Sequence, residues 1–236
     1  MTIPAADQAQ NLDDLMAKAQ EAVAGAQYFH AERLANTALQ IAHSQHDFDR
    51  MARIVGPLRE SRRQRLGQAL AVATITILDT PITEEMPIEP GCYLVQPPRV
   101  GAEARRFRQA ALSRDVPVAV LCREPLTAAL GLCPIVGICS STTVRTTVDP
   151  PADPENPDLA WFVDGLEALG DWAIESIDPE MVIDRRIEAI LGRLDAVPDH
   201  DRLHQCLHEA CCKAHQLLST DHPTPGSPTA KTKVKP

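Results

Sequence analysis

Three histidines and three cysteines lie within the twelve residues HQCLHEACCKAH, at positions 204–215. Imidazole nitrogens and thiolates are common zinc ligands in proteins, and residues four apart on a helix lie one turn apart on the same side. His204 and His208 have this spacing, and Cys212 follows one turn later. The stretch is therefore a candidate zinc site, with these three residues as its candidate ligands.

Two features limit a metal site here. His204 and His215 are roughly 16 Å apart along a helix axis, so one zinc with bonds of about 2 Å cannot bind every candidate. The stretch also lacks the metalloprotease motif H-E-x-x-H, because Cys212 stands where the second histidine belongs. A helical stripe of apolar residues runs beside the candidates: Leu203, Leu207, Ala210, Ala214 and Leu217. We favour a structural helix that buries this stripe, with metal binding as the alternative.

The spacing of apolar residues along the whole chain predicts an α+β fold. Residues 1–70 have the period of a helical hairpin followed by a third helix. Residues 71–149 contain β-branched runs and one helix, which predicts a small mixed sheet with a strand–helix–strand crossover and a final hairpin. Residues 150–158 are rich in proline and predict a linker, and residues 159–218 predict three helices. We expect the tail, residues 219–236, to be disordered.

The predicted hairpin carries a resemblance to a known repeat. In AQYFHAERLANTALQI, Tyr28 lies at the bend between the helices, and Ala31 and Ala38 lie where the paired helices would touch. Residues 12–44 thereby resemble one tetratricopeptide (TPR) repeat, although Leu15 stands where a tryptophan is usual. A stack of such repeats needs about three copies to be stable. We therefore expect this pair of helices to pack on the rest of the chain and to contribute a partner-binding surface.

Two basic runs interrupt an acidic chain. RMARIVGPLRESRRQR, residues 50–65, carries six arginines and a single glutamate. Such a run is typical of a solvated helix face, and it could also hold a partner through Arg59, Arg62 and Arg63. The second run opens a predicted helix directly after a strand, where backbone N–H groups can bind anions, so Arg105 and Arg106 are candidate anion-binding residues.

Composition excludes several classes of function. The net charge of −9 argues against broad binding to nucleic acid or to anionic membranes. Aromatic residues make up only 3% of the chain, too few for rows of stacked bases. The longest apolar run has ten residues, which is too short to span a bilayer. Because MTIPAADQAQ lacks the basic start and apolar centre of a secretory signal, we expect a cytoplasmic protein whose cysteines stay reduced.

No complete catalytic or nucleotide-binding motif is present, since G-x-G-x-x-G, G-x-x-x-x-G-K-[ST] and G-x-S-x-G are all missing from the chain. We therefore predict a non-enzymatic scaffold or adaptor that binds another protein and needs no cofactor. The alternative is a protein that binds a small molecule or zinc, and that could be an enzyme, with its site in the central segment or on the last helix. We expect Cys122, Cys133 and Cys139 in the central segment to be buried.

Overall fold

The computed structural model of the protein describes residues 5–83, 85–125 and 131–221. These residues form seven helices and five strands, which confirms the predicted α+β class. The helices are α1 (Ala5–Ala24), α2 (Tyr28–Ser44), α3 (Phe48–Leu70), α4 (Gly101–Ser113), α5 (Leu159–Glu175), α6 (Ile183–Ala196) and α7 (Asp201–Asp221). The strands are β1 (Ile75–Leu78), β2 (Gly91–Val95), β3 (Val118–Arg123), β4 (Cys133–Ile138) and β5 (Thr143–Val148).

The first two helices pack together as the predicted hairpin, and α3 packs against α2. One side of α2 consists of fully buried alanines, whose small side chains allow its neighbours to approach closely: Ala31, Ala35, Ala38 and Ala42. The carboxylate of Asp47 caps α3 by accepting the backbone N–H of Arg50 at 3.0 Å, as its position before the helix predicts.

The five strands form one sheet in the order β1–β2–β3–β4–β5. β1, β2 and β3 are parallel, whereas β4 is antiparallel to both β3 and β5. The predicted crossover is confirmed, since α4 connects the parallel neighbours β2 and β3. The predicted hairpin is confirmed as well, with Cys133 paired to Val148 across β4 and β5.

Alternate residues of β2 point to opposite faces of the sheet, as the strand period requires. Cys92 and Leu94 belong to the large core that the sheet shares with the other helices. Tyr93 and Val95 belong to a smaller core under α4. There, the ring centroids of Tyr93 and Phe107 are 4.6 Å apart. The sheet is thus covered on both faces, which explains why every residue of β2 is buried.

The large core contains residues from all three predicted segments, including Leu58 of α3, Leu121 of β3 and Leu207 of α7. The helices of the first and last segments therefore pack together with the sheet. No helix of the described residues has the length and apolarity needed to cross a membrane.

The predicted linker connects β5 to α5 and is mostly exposed, with two prolines packed against the protein. Pro151 and Pro157 are buried, and the carboxylate of Asp158 caps α5 by accepting the backbone N–H of Trp161 at 2.8 Å. α5, α6 and α7 are the three helices predicted for this part of the chain, and they begin at Leu159, Ile183 and Asp201. α7 extends into the predicted tail as far as Asp221, and residues 222–236 lie outside the described part of the chain.

Candidate functional site

A cleft lies between α2 and α6, and α3 forms its floor. It consists of two adjoining cavities of about 270 and 230 Å³, and both are lined by Asn36, Gln40, Arg62 and Asp195. We call it the α2–α6 cleft. Its first cavity is mainly apolar, with Leu39, Leu58, Leu191 and Leu194 in its walls. Its second cavity is mainly charged, with Glu32, Arg65, Arg108 and Asp199 in its walls.

A buried ion network forms the wall of the charged cavity. Oε1 of Glu32 in α2 accepts from Nε of Arg62 in α3 at 2.8 Å, and its Oε2 lies 2.7 Å from Nη2 of Arg65. Only 3% of the Glu32 side chain and 9% of each arginine side chain are exposed. Arg62 and Arg65 lie on the same side of α3, because residues three apart on a helix are neighbours. One carboxylate therefore neutralises two buried guanidinium groups only in part.

Arg108 and Asp199 add charge to the same cavity from other elements. Arg108 of α4 donates to the backbone oxygens of Asp195 and Ala196 at 2.8 and 3.0 Å, which fixes the end of α6. Burial lowers the pKa of Arg108, and nearby carboxylates oppose that shift. Burial raises the pKa of Asp199, and the arginines around it, led by Arg65 at 3.9 Å, oppose the shift. Arg65 Nε has no hydrogen-bond acceptor within the described part of the structure.

His204 packs behind the network as a neutral imidazole. Its Nδ1 lies 3.0 Å from the backbone oxygen of His200, and its Nε2 lies 3.4 Å from Nη1 of Arg62. Burial, followed by the charge of Arg62, lowers the pKa of His204 to about 3. Nδ1–H therefore donates to the carbonyl of His200, and the Nε2 lone pair faces the guanidinium.

This buried histidine predicts a pH dependence of stability. The unfolded chain takes up a proton on His204 below a pKa of 6.5, whereas the folded chain does so only near a pKa of about 3. The contribution of neutral His204 to the free energy of unfolding is complete above the unfolded pKa of 6.5. As the pH falls below that value, this contribution decreases by about 1.4 kcal/mol per pH unit. We expect His204→Gln to flatten the curve of unfolding free energy against pH by up to this slope between about pH 6 and pH 4.

Urea unfolding of both proteins over that pH range measures the difference in slope, which is independent of any constant cost of the substitution. His215→Gln is the matched control, because His215 is exposed on the same helix. Parallel curves for the wild type and His204→Gln would contradict a neutral, buried His204.

The three predicted partner-binding arginines do not share one exposed surface. Arg59 pairs with Asp201 at the start of α7, with Nη2 2.6 Å from Oδ2. Arg63 is exposed and pairs with Glu60 at 2.7 Å. Arg62 is buried. Each residue turns a helix by about 100°, so neighbours in a basic run face different surroundings. Of the three, Arg62 alone lines the α2–α6 cleft.

The predicted anion-binding turn already holds a carboxylate of this chain. Oε2 of Glu103 accepts the backbone N–H of Val100 at 3.2 Å at the start of α4. A Cβ atom on Gly101 would lie 2.5 Å from Cδ1 of Ile138, so this glycine permits close contact between α4 and β4. Arg105 is half-buried and Arg106 is exposed, and neither belongs to the wall of the α2–α6 cleft.

The predicted zinc ligands divide into two groups. His204 is buried against Arg62, as described above. His208 and Cys212 come together on the exposed side of α7, with Nε2 of the imidazole 3.6 Å from Sγ of the thiol. Across the described ranges, no group of three or more His, Cys, Asp or Glu side chains is placed to hold a metal ion. The structure thus brings together two of the three candidates.

A separate cavity of about 270 Å³ lies at the carboxyl ends of β2 and β3. Two of its charged side chains have partners: Arg123 donates to the backbone oxygen of Pro154 at 2.7 Å, and Glu124 pairs with Arg145 at 2.7 Å. Cys133 also lines this cavity. The predicted burial of the central cysteines is confirmed for Cys122, Cys133 and Cys139, and burial raises the pKa of Cys122 to about 12.

Sequence reasoning missed Glu32 and Asp199 as members of a site. Glu32 carries a recognisable signal, because it occupies a position among the alanines on the inner side of α2. An acidic residue at such a position requires a buried partner. Asp199 has no comparable signal, since an aspartate after a proline is typical of a helix start.

The chain matches no protein-family model, and no match was found among curated proteins or solved structures.

Proposed function

We propose that the protein is a non-enzymatic adaptor that holds an acidic segment of another protein in the α2–α6 cleft. The observation that carries this proposal is the continuity of the cleft, in which an apolar cavity adjoins an arginine-rich cavity through the shared residues Asn36, Gln40, Arg62 and Asp195. A segment that occupies both cavities would bury an apolar side chain beside an acidic one.

The apolar cavity suits a side chain of a partner. Leu39, Leu58 and Leu194 form a rigid lining because they are themselves buried in the core, and the half-buried Leu191 stands at the side. Interfaces take most of their binding energy from a few side chains that fill such preformed pockets. The volume of about 270 Å³ is sufficient for one large apolar side chain.

The charged cavity suits an acidic group. The lining contains three arginines and the carboxylates of Glu32, Asp195 and Asp199, and the buried position of Arg62 and Arg65, which share Glu32, limits the screening of their charges by water. A carboxylate from a partner would accept charge-assisted hydrogen bonds from the guanidinium groups that line the cavity. The acidic surface elsewhere would repel the same segment, which favours this one position.

Gln40 provides a test that leaves the ion network intact, because it is exposed and lines both cavities. We expect a photo-crosslinking amino acid at position 40 to capture one partner protein through an acidic segment. Gln40→Glu should then weaken binding of that purified segment about tenfold, or about 1.4 kcal/mol, through charge repulsion.

Thr37 is the matched control, since it is exposed one turn earlier on α2 and is not part of the cleft lining. A crosslinker at position 37 should not capture the segment, and Thr37→Glu should leave its affinity unchanged. Equal capture from both positions, or equal affinity of both glutamate variants, would contradict binding in the cleft.

One observation favours the alternative of a small-molecule-binding protein. The cavity beside Arg123 lies at the carboxyl ends of neighbouring parallel strands, the usual position of ligands in sheets with such strands. Native mass spectrometry of untagged protein separates the two proposals. A small molecule that remains bound would support the alternative, and its loss in Arg123→Ala would place it in this cavity.

A further inference from the structure

We infer that His208 and Cys212 form a zinc(II)-binding pair on the exposed side of α7. This site is separate from the α2–α6 cleft, and neither residue belongs to its lining. It therefore does not depend on the proposed adaptor function.

The distance between the two donor atoms suits zinc. Nε2 of His208 and Sγ of Cys212 are 3.6 Å apart. In a tetrahedral site with a Zn–S bond of about 2.3 Å and a Zn–N bond of about 2.0 Å, the two donor atoms lie about 3.5 Å apart. Zinc can therefore bridge the pair at the existing side-chain separation, without any change in the helix.

The imidazole of His208 is held in the form that binds a metal. Its Nδ1 lies 3.0 Å from the backbone oxygen of Ala52 in α3, so Nδ1–H donates to this carbonyl and the lone pair remains on Nε2. Histidine ligands of metals typically make this outer hydrogen bond, which fixes the tautomer and the orientation of the ring. The ring is thus oriented by the packing of α7 on α3.

Cys212 is suited to the role by its position among the cysteines of α7. Cys211 is fully buried, and burial raises the pKa of its thiol to about 12, so it stays protonated. Cys206 is half-buried, and burial raises its pKa as well. Cys212 is half-buried as well, and its Sγ lies beside the imidazole of His208. On binding, its S–H bond breaks, the proton passes to solvent and the sulfur donates its electron pair to zinc.

The pair supplies two of the four ligands that tetrahedral zinc requires. The other two positions face solvent, because His208 is exposed and Cys212 is only half-buried. Water can fill them, and so can the same pair from a second copy across a twofold axis. The ratio of zinc to protein distinguishes these two cases, because water as the remaining ligands gives one zinc per chain and a second copy gives one zinc per two chains. In both cases His208 and Cys212 are ligands.

The test is zinc titration of the reduced, full-length protein by calorimetry, with cobalt(II) as a spectroscopic probe. We expect Cys212→Ser and His208→Gln each to weaken zinc binding by at least about tenfold, or about 1.4 kcal/mol. The thiolate-to-cobalt charge-transfer absorption should be present in the wild type and lost in Cys212→Ser. Cys206→Ser is the matched control, since it removes another partly exposed thiol of α7, and it should retain both signals.

Circular dichroism establishes that each variant is folded. We expect Cys212→Ser and His208→Gln to fold, because both substitutions lie on the outer side of α7. The inference is overturned if zinc binds Cys212→Ser as tightly as the wild type. It is also overturned if Cys206→Ser loses the cobalt absorption, or if the wild type binds neither metal.

Discussion

Glu32→Ala is expected to lower the free energy of unfolding by about 3–5 kcal/mol, because it leaves two buried charges without their carboxylate. Arg62 and Arg65 are each 8% exposed, and both pair with Glu32. Without it, the two guanidinium groups repel each other on the same side of α3, and water reaches them from the α2–α6 cleft. Water or the carboxylate of Asp199 near Arg65 will reduce this loss of unfolding free energy in part.

Chemical denaturation at neutral pH measures this loss, and Glu60→Ala is the matched control. Glu60 is also a glutamate paired with an arginine, but 37% of its side chain and 58% of that of Arg63 are exposed. An exposed pair contributes about 0–1 kcal/mol, because water solvates both charges when the pair is lost. Similar losses in the two variants would show that the network around Glu32 is hydrated and does not hold α2 against α3.

The elements with regular apolar patterns could be predicted from the sequence. The final hairpin of the predicted sheet is found as β4 and β5. The predicted third helix is found as α3, which buries apolar residues at helical spacing: Phe48, Met51, Ala52, Val55 and Leu58. Both results follow from local periodicity, since the burial of one side of a helix or strand requires apolar residues at fixed intervals. Ends of helices are less accurate, because the last turn has no sharp sequence signal: α7 continues to Asp221, beyond the predicted end at residue 218.

The α2–α6 cleft could not be predicted, because it depends on contacts between distant parts of the chain. Glu32 meets Arg62 across 30 residues of sequence, and Arg59 meets Asp201 across 142. A run of arginines is compatible both with solvated charges and with buried pairs. Only the packing of α2 and α7 on α3 decides which arginine of the run is buried.

The three candidate zinc ligands show how the direction of a side chain rotates along a helix. Four residues turn a helix by about 400°, so each step from His204 to His208 to Cys212 rotates the side chain by about 40°. Over two steps the direction changes by about 80°, which separates a side chain facing α3 from one facing solvent. His208 and Cys212 therefore lie side by side on the outside of α7, whereas His204 lies against Arg62.

Leu207→Ala is expected to lower the free energy of unfolding by about 2–5 kcal/mol, because it creates a cavity where α7 packs into the large core. Leu207 is fully buried and lies in the same core as Leu58 and Leu121. The predicted inward stripe of α7 is confirmed by its neighbours Leu203, Ala210 and Ala214. The stripe ends there, since Leu217 is 46% exposed where α7 extends beyond the core.

Leu218→Ala is the matched control, because the same substitution at a 51% exposed position removes little buried area. Its cost should stay within about 0.5 kcal/mol in the same denaturation experiment. A loss below about 1 kcal/mol for Leu207→Ala would mean that α7 is not docked firmly on α3. The bond from His208 to Ala52 would then not hold the imidazole in place, so the proposed zinc-binding pair and the packing of α7 depend on the same contact.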